Sequence, residues 1–143
     1  MNKNDKPVGI ITGGSRGVGA ATAKLLASKG WNVTITCTSS IEDANNIVKE
    51  CEELGAEALA ISADVGDNEA CIKTAKETIA KWGKIDALVN NAGTTKFVFN
   101  HGDLDGLDAD DFLHIYRINV VGPFQMVRAC RESLLDSDNP SVV

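Results

Sequence analysis

The sequence of 143 residues has no excess of basic residues and no long apolar run. It has 14 Lys and Arg against 20 Asp and Glu, which gives a net charge of −6 and an isoelectric point near 4.8. We therefore expect no nucleic-acid partner and no binding to anionic membranes, because both need clustered positive charge. No apolar run approaches the roughly 20 residues of a membrane span. The first residues, MNKNDKPV, lack the apolar stretch of a secretory signal, so we expect a cytoplasmic protein.

The sequence also lacks the residue spacings of common metal sites. Its four cysteines (Cys37, Cys51, Cys71 and Cys130) are far apart and form no C-x-x-C pair, so we expect buried, reduced thiols. Five aspartates fall between positions 103 and 111, but their spacing does not match an EF-hand loop and the glycine at its sixth position is missing. We expect no metal site.

What the sequence does contain is a glycine-rich loop at residues 12–19, with glycines at positions 13, 17 and 19. It follows a short apolar run suited to a buried strand and precedes a helical pattern. Glycines there permit a tight turn and close approach of a ligand, and the helix N-terminus favours an anion such as the pyrophosphate of a dinucleotide. A purely structural glycine turn is the alternative interpretation. The predicted apolar face of the helix is Val18, Ala21, Thr22, Leu25 and Leu26.

Strand and helix patterns alternate along the rest of the chain. Strands are predicted at residues 8–11, 33–37, 58–61 and 85–89, separated by helices that stop at Gly30, Gly55 and Gly83. Such alternation requires right-handed crossovers and a parallel sheet covered on both faces. We therefore predict an α/β fold, a Rossmann-like doubly wound sheet, in one domain over residues 1–143. A fifth strand begins at 141–143, so we expect the domain to be incomplete at its C-terminal end.

Two features in the second half fall near the predicted ligand edge of the sheet. Residues 90–93, Asn-Asn-Ala-Gly, leave the fourth strand at the edge where the glycine loop lies, although an ordinary asparagine turn is the alternative. Asp108 is predicted to cap a helix whose pattern runs from 112 to 134 and breaks at Gly122-Pro123. Asn119 lies just before the break and is predicted to be buried, where it could tie down the kink or hold a water against a catalytic group.

These motifs, in this order, resemble those of the short-chain dehydrogenase/reductases. The loop at 12–19 is similar to the family's T-G-x-x-x-G-x-G, Asp64-Val65 to the pair that lies against adenine, 90–93 to its N-N-A-G, and Asn119 to its catalytic-relay asparagine. The resemblance covers essentially the whole chain and identifies it as the amino-terminal part of such a protein. It is most similar to carbonyl-reducing members such as 3-oxoacyl-carrier-protein reductases.

The resemblance implies a nicotinamide cofactor, and the residues themselves favour NADP over NAD. NAD-preferring proteins carry a carboxylate at the end of the second strand, where this chain has hydroxyls at Thr38 and Ser39. Arg16 could pair with the 2′-phosphate of NADP. Alternatively, Arg16 is a solvated charge, and Ser39 or Ser40 caps a helix. The predicted cofactor residues are Gly13, Ser15, Arg16, Val18, Gly19, Thr38, Ser39, Asp64, Val65, Asn91, Ala92 and Gly93, and the predicted catalytic residue is Asn119.

The family's serine, tyrosine and lysine are missing from this sequence. The single tyrosine, Tyr116, has Val120 four residues later, where the family's acid would have a lysine. The resemblance implies hydride transfer with a small carbonyl or alcohol substrate, and a homodimer or homotetramer for a full-length form. We expect this chain alone to be inactive. The alternatives are a shortened, non-catalytic nucleotide- or partner-binding chain and a flavodoxin-like domain, against which residues 90–93 argue.

Overall fold

The computed structural model describes residues 6–143, which form a parallel five-stranded sheet with helices on both faces. Residues 1–5, on which part of the argument against a secretory signal rests, lie outside the described residues. The elements are β1 (Val8–Ile11), α1 (Gly17–Ser28), β2 (Asn32–Cys37), α2 (Ile41–Glu53), β3 (Ala58–Ser62), α3 (Asn68–Trp82), β4 (Ala87–Val89), a 3₁₀ turn (Leu104–Gly106), α4 (Ala109–Tyr116), a π-helical turn (Arg117–Val121), α5 (Gly122–Leu135) and β5 (Ser141–Val142).

The strand order is β3-β2-β1-β4-β5, and every pair in it is parallel. The order reverses between β1 and β4, which creates a crevice at the carboxyl ends of these strands where doubly wound proteins bind ligands. The predicted α/β fold is confirmed. β4 is shorter than predicted, because it begins at Ala87.

Sequence signals at the helix ends agree with the structure. The side chains of Ser40, Asp67 and Asp108 cap α2, α3 and α4. Gly83 ends α3 with a φ of 82°, a left-handed conformation that glycine adopts without steric cost. These local signals therefore fixed where three of the helices begin and where α3 stops.

The face of α1 that packs on the sheet differs from the prediction. Val18 and Leu25 belong to the predicted apolar face but are 75% and 58% exposed, whereas Leu26 is partly buried against the core. The buried face consists of small residues, because only small side chains let the helix lie close to the strands. These residues are Gly19, Ala20, Ala23 and Ala27.

The predicted break in the last long helix is a π-helical turn. It spans Arg117–Val121, and the Gly122 N–H donates to the Arg117 carbonyl five residues earlier. Pro123 follows at the start of α5, where its missing N–H breaks the regular pattern. Asn119 lies within this turn and is exposed, so the prediction that it is buried was wrong. Its apolar neighbours Tyr116, Val120 and Phe124 are exposed as well.

The sheet is covered by one apolar core on each face. One packs Ile11 and Ile35 against α1 and α2, and the other packs Ile10, Leu88 and Met126 among α3 and α5. All four cysteines are buried free thiols. Burial raises the pKa of Cys71 to about 11 and that of Cys130 to about 12, which keeps both protonated.

Within residues 6–143, no helix combines the length and apolar character needed to cross a membrane. The same part of the chain contains no group of three or more His, Cys, Asp or Glu arranged to hold a metal ion.

Candidate functional site

A cleft of about 470 Å³ opens at the carboxyl ends of β1, β2 and β4. Ten of the twelve predicted cofactor residues line it, and the two that do not are Val18 and Gly19. Val18 points into solvent, and Gly19 is buried behind the loop. The structure therefore gathers residues from four separate stretches of sequence around one cleft: Gly13, Ser15 and Arg16; Thr38 and Ser39; Asp64 and Val65; and Asn91, Ala92 and Gly93.

The glycine loop is pressed against β2. Its Gly13 N–H donates to the Thr36 hydroxyl over 3.1 Å, and the Gly14 N–H donates to the Thr36 carbonyl over 2.9 Å. Gly13 has a φ of 66°, which favours glycine. A Cβ at Gly14 would lie 2.6 Å from the Cβ of Ile35, so only glycine fits there. Sequence reasoning missed Gly14 because its constraint comes from a strand more than 20 residues away.

The first turn of α1 is shaped to receive an anion. Arg16 occupies the N-cap position without a side-chain hydrogen bond to the helix, and the first turn contains no acidic residue. By contrast, α2, α3 and α4 each have a capping side chain and acids in the first turn. The first turn of α1, which follows Ser15 and Arg16 of the cleft lining, therefore has no side-chain cap on its N–H groups and no acid to offset the positive end of its dipole.

Asn91 joins the loop after β4 to the glycine loop. Its Nδ2 donates to the carbonyls of Thr12 and Gly13 over 2.9 and 3.0 Å, and the Ala92 N–H donates to the Thr12 hydroxyl over 3.0 Å. Gly19 packs behind this junction, where a Cβ would lie 2.5 Å from Asn91 Nδ2 and collide with the Gly13 carbonyl. The two loops thus form one tightly packed wall with room for a ligand only on the cleft side.

A second hollow adjoins the cleft beside Asn119. It is lined by Asn90, Ala92, Gly93, Thr94, Thr95, Asn119 and Pro123. The Asn119 amide bridges the main chain of Thr94: the Thr94 N–H donates to Oδ1, and Nδ2 donates to the Thr94 carbonyl, both over 2.8 Å. Asn119 therefore fixes the loop after β4. Its Oδ1 retains a second lone pair that could accept from water.

Asp64 and Val65 line the cleft directly after β3. Asp64 is exposed at the rim, and its Oδ1 accepts from the Gly66 N–H over 2.8 Å. Val65 is buried, and its carbonyl accepts from Gln125 Nε2 over 2.8 Å. Six further residues that sequence reasoning missed also line the cleft. These are Thr36, Cys37, Ala63, Thr94, His114 and Ile118.

The charges around the cleft suit a phosphate near Arg16. Among the residues that line it, Arg16 carries the one permanent positive charge and Asp64 the one carboxylate. Thr38 and Ser39 are exposed beside them. The cap of α2 is Ser40, whose hydroxyl accepts from the Asp43 N–H over 3.1 Å, so Ser39 has no capping role.

Both a family model and individual known proteins match this chain. The family model described as short chain dehydrogenase matches residues 7–143. Versicolorin reductase 1 of Aspergillus parasiticus is 36% identical over 87% of this chain and 46% of its own length. This chain spans about half the length of the curated relatives it matches.

Two solved structures with similar folds contain different cofactors. A metagenomic short-chain oxidoreductase in complex with NADP is 28% identical, with a TM-score of 0.86 over 99% of this chain and 62% of that one. An NAD⁺-bound xylitol dehydrogenase is 29% identical, with a TM-score of 0.85 over 95% of this chain and 51% of that one. Fold alone therefore does not determine which cofactor is preferred, and the narrower resemblance to 3-oxoacyl-carrier-protein reductases stays a prediction.

Proposed function

Because this chain belongs to the short-chain dehydrogenase/reductase family, we propose that it forms the NADP-binding part of an oxidoreductase. The reaction would transfer hydride between NADPH and a small carbonyl or alcohol substrate. The observation that carries this proposal is the cleft itself, which joins an uncapped helix N-terminus, a glycine loop and the Asn91 wall. A cofactor when bound would supply the hydride, and this chain would supply its binding and orientation.

In this proposal different residues of the chain contact different parts of the cofactor. The N–H groups of residues 15–17 and of the first turn of α1 hold the pyrophosphate, in a loop shape that Gly13 and Gly19 permit by packing closely against Asn91. Asp64 and Val65 bound the adenine. The loop after β4, held by Asn119 through Thr94, lies at the remaining end of the cleft and supports the nicotinamide.

The same cleft supports a preference for NADP. A 2′-phosphate near Arg16 would gain a charge-assisted hydrogen bond, and Thr38 and Ser39 could add neutral ones. No carboxylate from the end of β2 opposes it, because residues 37–40 are Cys-Thr-Ser-Ser. This distinguishes the chain from an NAD-preferring arrangement.

A calorimetric titration of this chain with NADPH and with NADH tests the proposal. We expect NADPH to bind at least about tenfold more tightly than NADH, because one charge-assisted hydrogen bond contributes that much binding free energy. Arg16→Gln should weaken the binding of NADPH but not that of NADH. The matched control is Lys29→Gln, at the other end of α1 and outside the cleft, which should change neither affinity. Equal affinity of the wild type for both nucleotides would contradict NADP preference, and no binding of either would contradict the cofactor role.

A shortened, non-catalytic nucleotide-binding chain is the second candidate: Tyr116, the one tyrosine of the sequence, has Val120 four residues later and so is not part of a Tyr-x-x-x-Lys segment. The intact mass of the natural protein separates the two. A mass near 15.1 kDa would favour the non-catalytic function, and a longer product with a Tyr-x-x-x-Lys segment would favour the enzyme.

A further inference from the structure

The loop at the Asp64 end of the cleft is held by side chains from the far end of the sequence. Arg117 Nε donates to the Gly66 carbonyl over 2.8 Å. Gln125 Nε2 donates to the Val65 carbonyl over 2.8 Å, and Gln125 is only 8% exposed. We call residues 64–67 the adenine-end loop. Two main-chain carbonyls of this loop are thus fixed by the π-helical turn and α5.

Close packing at two glycines joins the same elements. A Cβ at Gly66 would lie 2.9 Å from Ile118 Cδ1, and a Cβ at Gly122 would lie 2.7 Å from Val65 Cγ2. Both distances are shorter than real carbon contacts, so each glycine permits a closer approach than any other residue would. Ile118 of the π-helical turn and Gly122 of α5 therefore pack closely against the adenine-end loop.

The same turn also holds the loop after β4, which lines the cleft through Thr94. Asn119, two residues after Arg117, bridges the Thr94 N–H and carbonyl. Ile118, which lies between Arg117 and Asn119 in sequence, lines the cleft itself. A single turn of five residues therefore contacts both the adenine-end loop and the loop after β4.

We propose that Arg117 and Gln125 are positioning residues that hold the adenine-end loop at a fixed distance from Thr94, with the π-helical turn as the rigid link. The inference rests on the proposed function, since the distance matters for a ligand that spans both loops. Neither residue lines the cleft, so each acts through the main chain of Val65 or Gly66. A dinucleotide would then bind to a preorganised cleft without first ordering the loop.

The role of these side chains is hydrogen bonding to carbonyl groups, which packing alone cannot replace. A methionine at position 125 would preserve the volume but leave the Val65 carbonyl with only the weaker Cys71 thiol, whose Sγ lies 3.3 Å away. A methionine at position 117 would leave the Gly66 carbonyl without this donor. Arg117 is exposed, so this substitution should not prevent folding.

Two measurements on the whole chain test the proposal. The first is amide hydrogen exchange without nucleotide, at the Gly66 N–H bonded to Asp64 and at the Thr94 N–H bonded to Asn119. The second is calorimetric titration with NADPH and with 2′,5′-ADP, which contains the adenine half alone. Each is applied to Arg117→Met, Arg117→Lys, Gln125→Met and the control Arg131→Met, whose side chain pairs with Glu132 away from the cleft.

We expect Arg117→Met and Gln125→Met to accelerate exchange at both amides and to weaken both nucleotides about three- to tenfold, the effect of one lost hydrogen bond. Arg117→Lys, which keeps a donor, should restore most of the affinity. Gln125→Met removes no charge, so its effect cannot come from a weaker attraction to phosphate. The control should match the wild type in every measurement.

Faster exchange at Gly66 without any change at Thr94 would overturn the link between the two loops. Unchanged exchange and unchanged affinities in both methionine variants would overturn the positioning role. If the wild type bound neither nucleotide, the proposed function would fail, and the inference built on it would fail with it. The exchange data would still show whether the π-helical turn joins the two loops.

Discussion

The side-chain amide of Asn91 donates to the main-chain carbonyl of Gly13 across 3.0 Å, and so joins two loops that are 78 residues apart in sequence. The same Nδ2 donates to the neighbouring carbonyl of Thr12. Both carbonyls belong to the glycine loop, whose residues Gly13, Ser15 and Arg16 line the cleft. The shape of the phosphate-binding loop therefore depends on a side chain from the loop after β4.

Asn91→Ala should lower the free energy of unfolding by about 1–3 kcal/mol, because two partly buried carbonyls lose a donor. It should also weaken NADPH binding. Urea unfolding and calorimetry measure the two effects.

Asn90→Ala is the matched control for this change. Within the described part of the chain, Asn90 Oδ1 is buried without a hydrogen-bond partner, and Nδ2 reaches the Val143 carbonyl only at 3.4 Å. Its loss should cost about 0.5 kcal/mol or less. Equal destabilisation by the two substitutions would contradict the bridging role of Asn91.

The same two loops show what could be predicted from sequence. Residues 12–19 and 90–93 were identified from local patterns, and the parallel sheet followed from the alternation of strands and helices. The constraint on Gly14 was not visible, because it comes from Ile35 in a neighbouring strand. Likewise, His114 and Ile118 line the cleft only because the chain returns to it after residue 108.

Two errors concern the direction in which helical side chains point. The large apolar residues of α1 suggested the buried face, whereas close packing on the sheet selected glycine and alanine. Asn119 was expected to be buried, because a regular helix would place it on the apolar side. It is exposed instead, as are Val120 and Phe124, because this side of the helices packs against nothing in the described part of the chain. Neither effect is encoded in periodicity alone.

Gly19→Ala should destabilise the fold by about 1–3 kcal/mol, which is typical of overpacking at a tightly packed site. The added methyl would strike the Gly13 carbonyl and lie 2.5 Å from Asn91 Nδ2, neither of which can move without breaking their hydrogen bond. The same substitution should also weaken NADPH binding. Urea unfolding and calorimetry again give both quantities.

Gly9→Ala provides the comparison for that substitution. A methyl at Gly9 would lie 3.4 Å from the flexible end of Leu26, which is an ordinary contact. Alanine also reduces the conformational entropy of the unfolded chain, so this variant should be as stable as the wild type or more stable. A loss of stability at Gly9 as large as that at Gly19 would show that the effect is not specific to the junction.

Asp86 is expected to make the stability of the fold sensitive to acid. Burial raises the pKa of its carboxyl, but hydrogen bonds from the Ser137 hydroxyl, the Val8 N–H and Lys84 lower it by more, so the pKa lies below its ordinary value. These bonds tie β1, β4 and the turn after α5 together at the end of the sheet opposite the cleft: the Val8 N–H lies 2.8 Å from Oδ2 and the Ser137 hydroxyl 2.7 Å from Oδ1.

A carboxyl whose pKa is lower in the folded state stabilises that state above the pKa of the unfolded chain, about 4. The contribution is lost as the pH falls through the lower folded pKa. Asp86→Asn should therefore be less stable than the wild type at pH 7, and its stability should fall less steeply below about pH 4. Urea unfolding at a series of pH values measures both effects. Asp138→Asn, an exposed carboxyl beyond α5, should leave the profile nearly unchanged. Parallel profiles for Asp86→Asn and the wild type would mean that the hydrogen bonds of Asp86 do not favour its charged form.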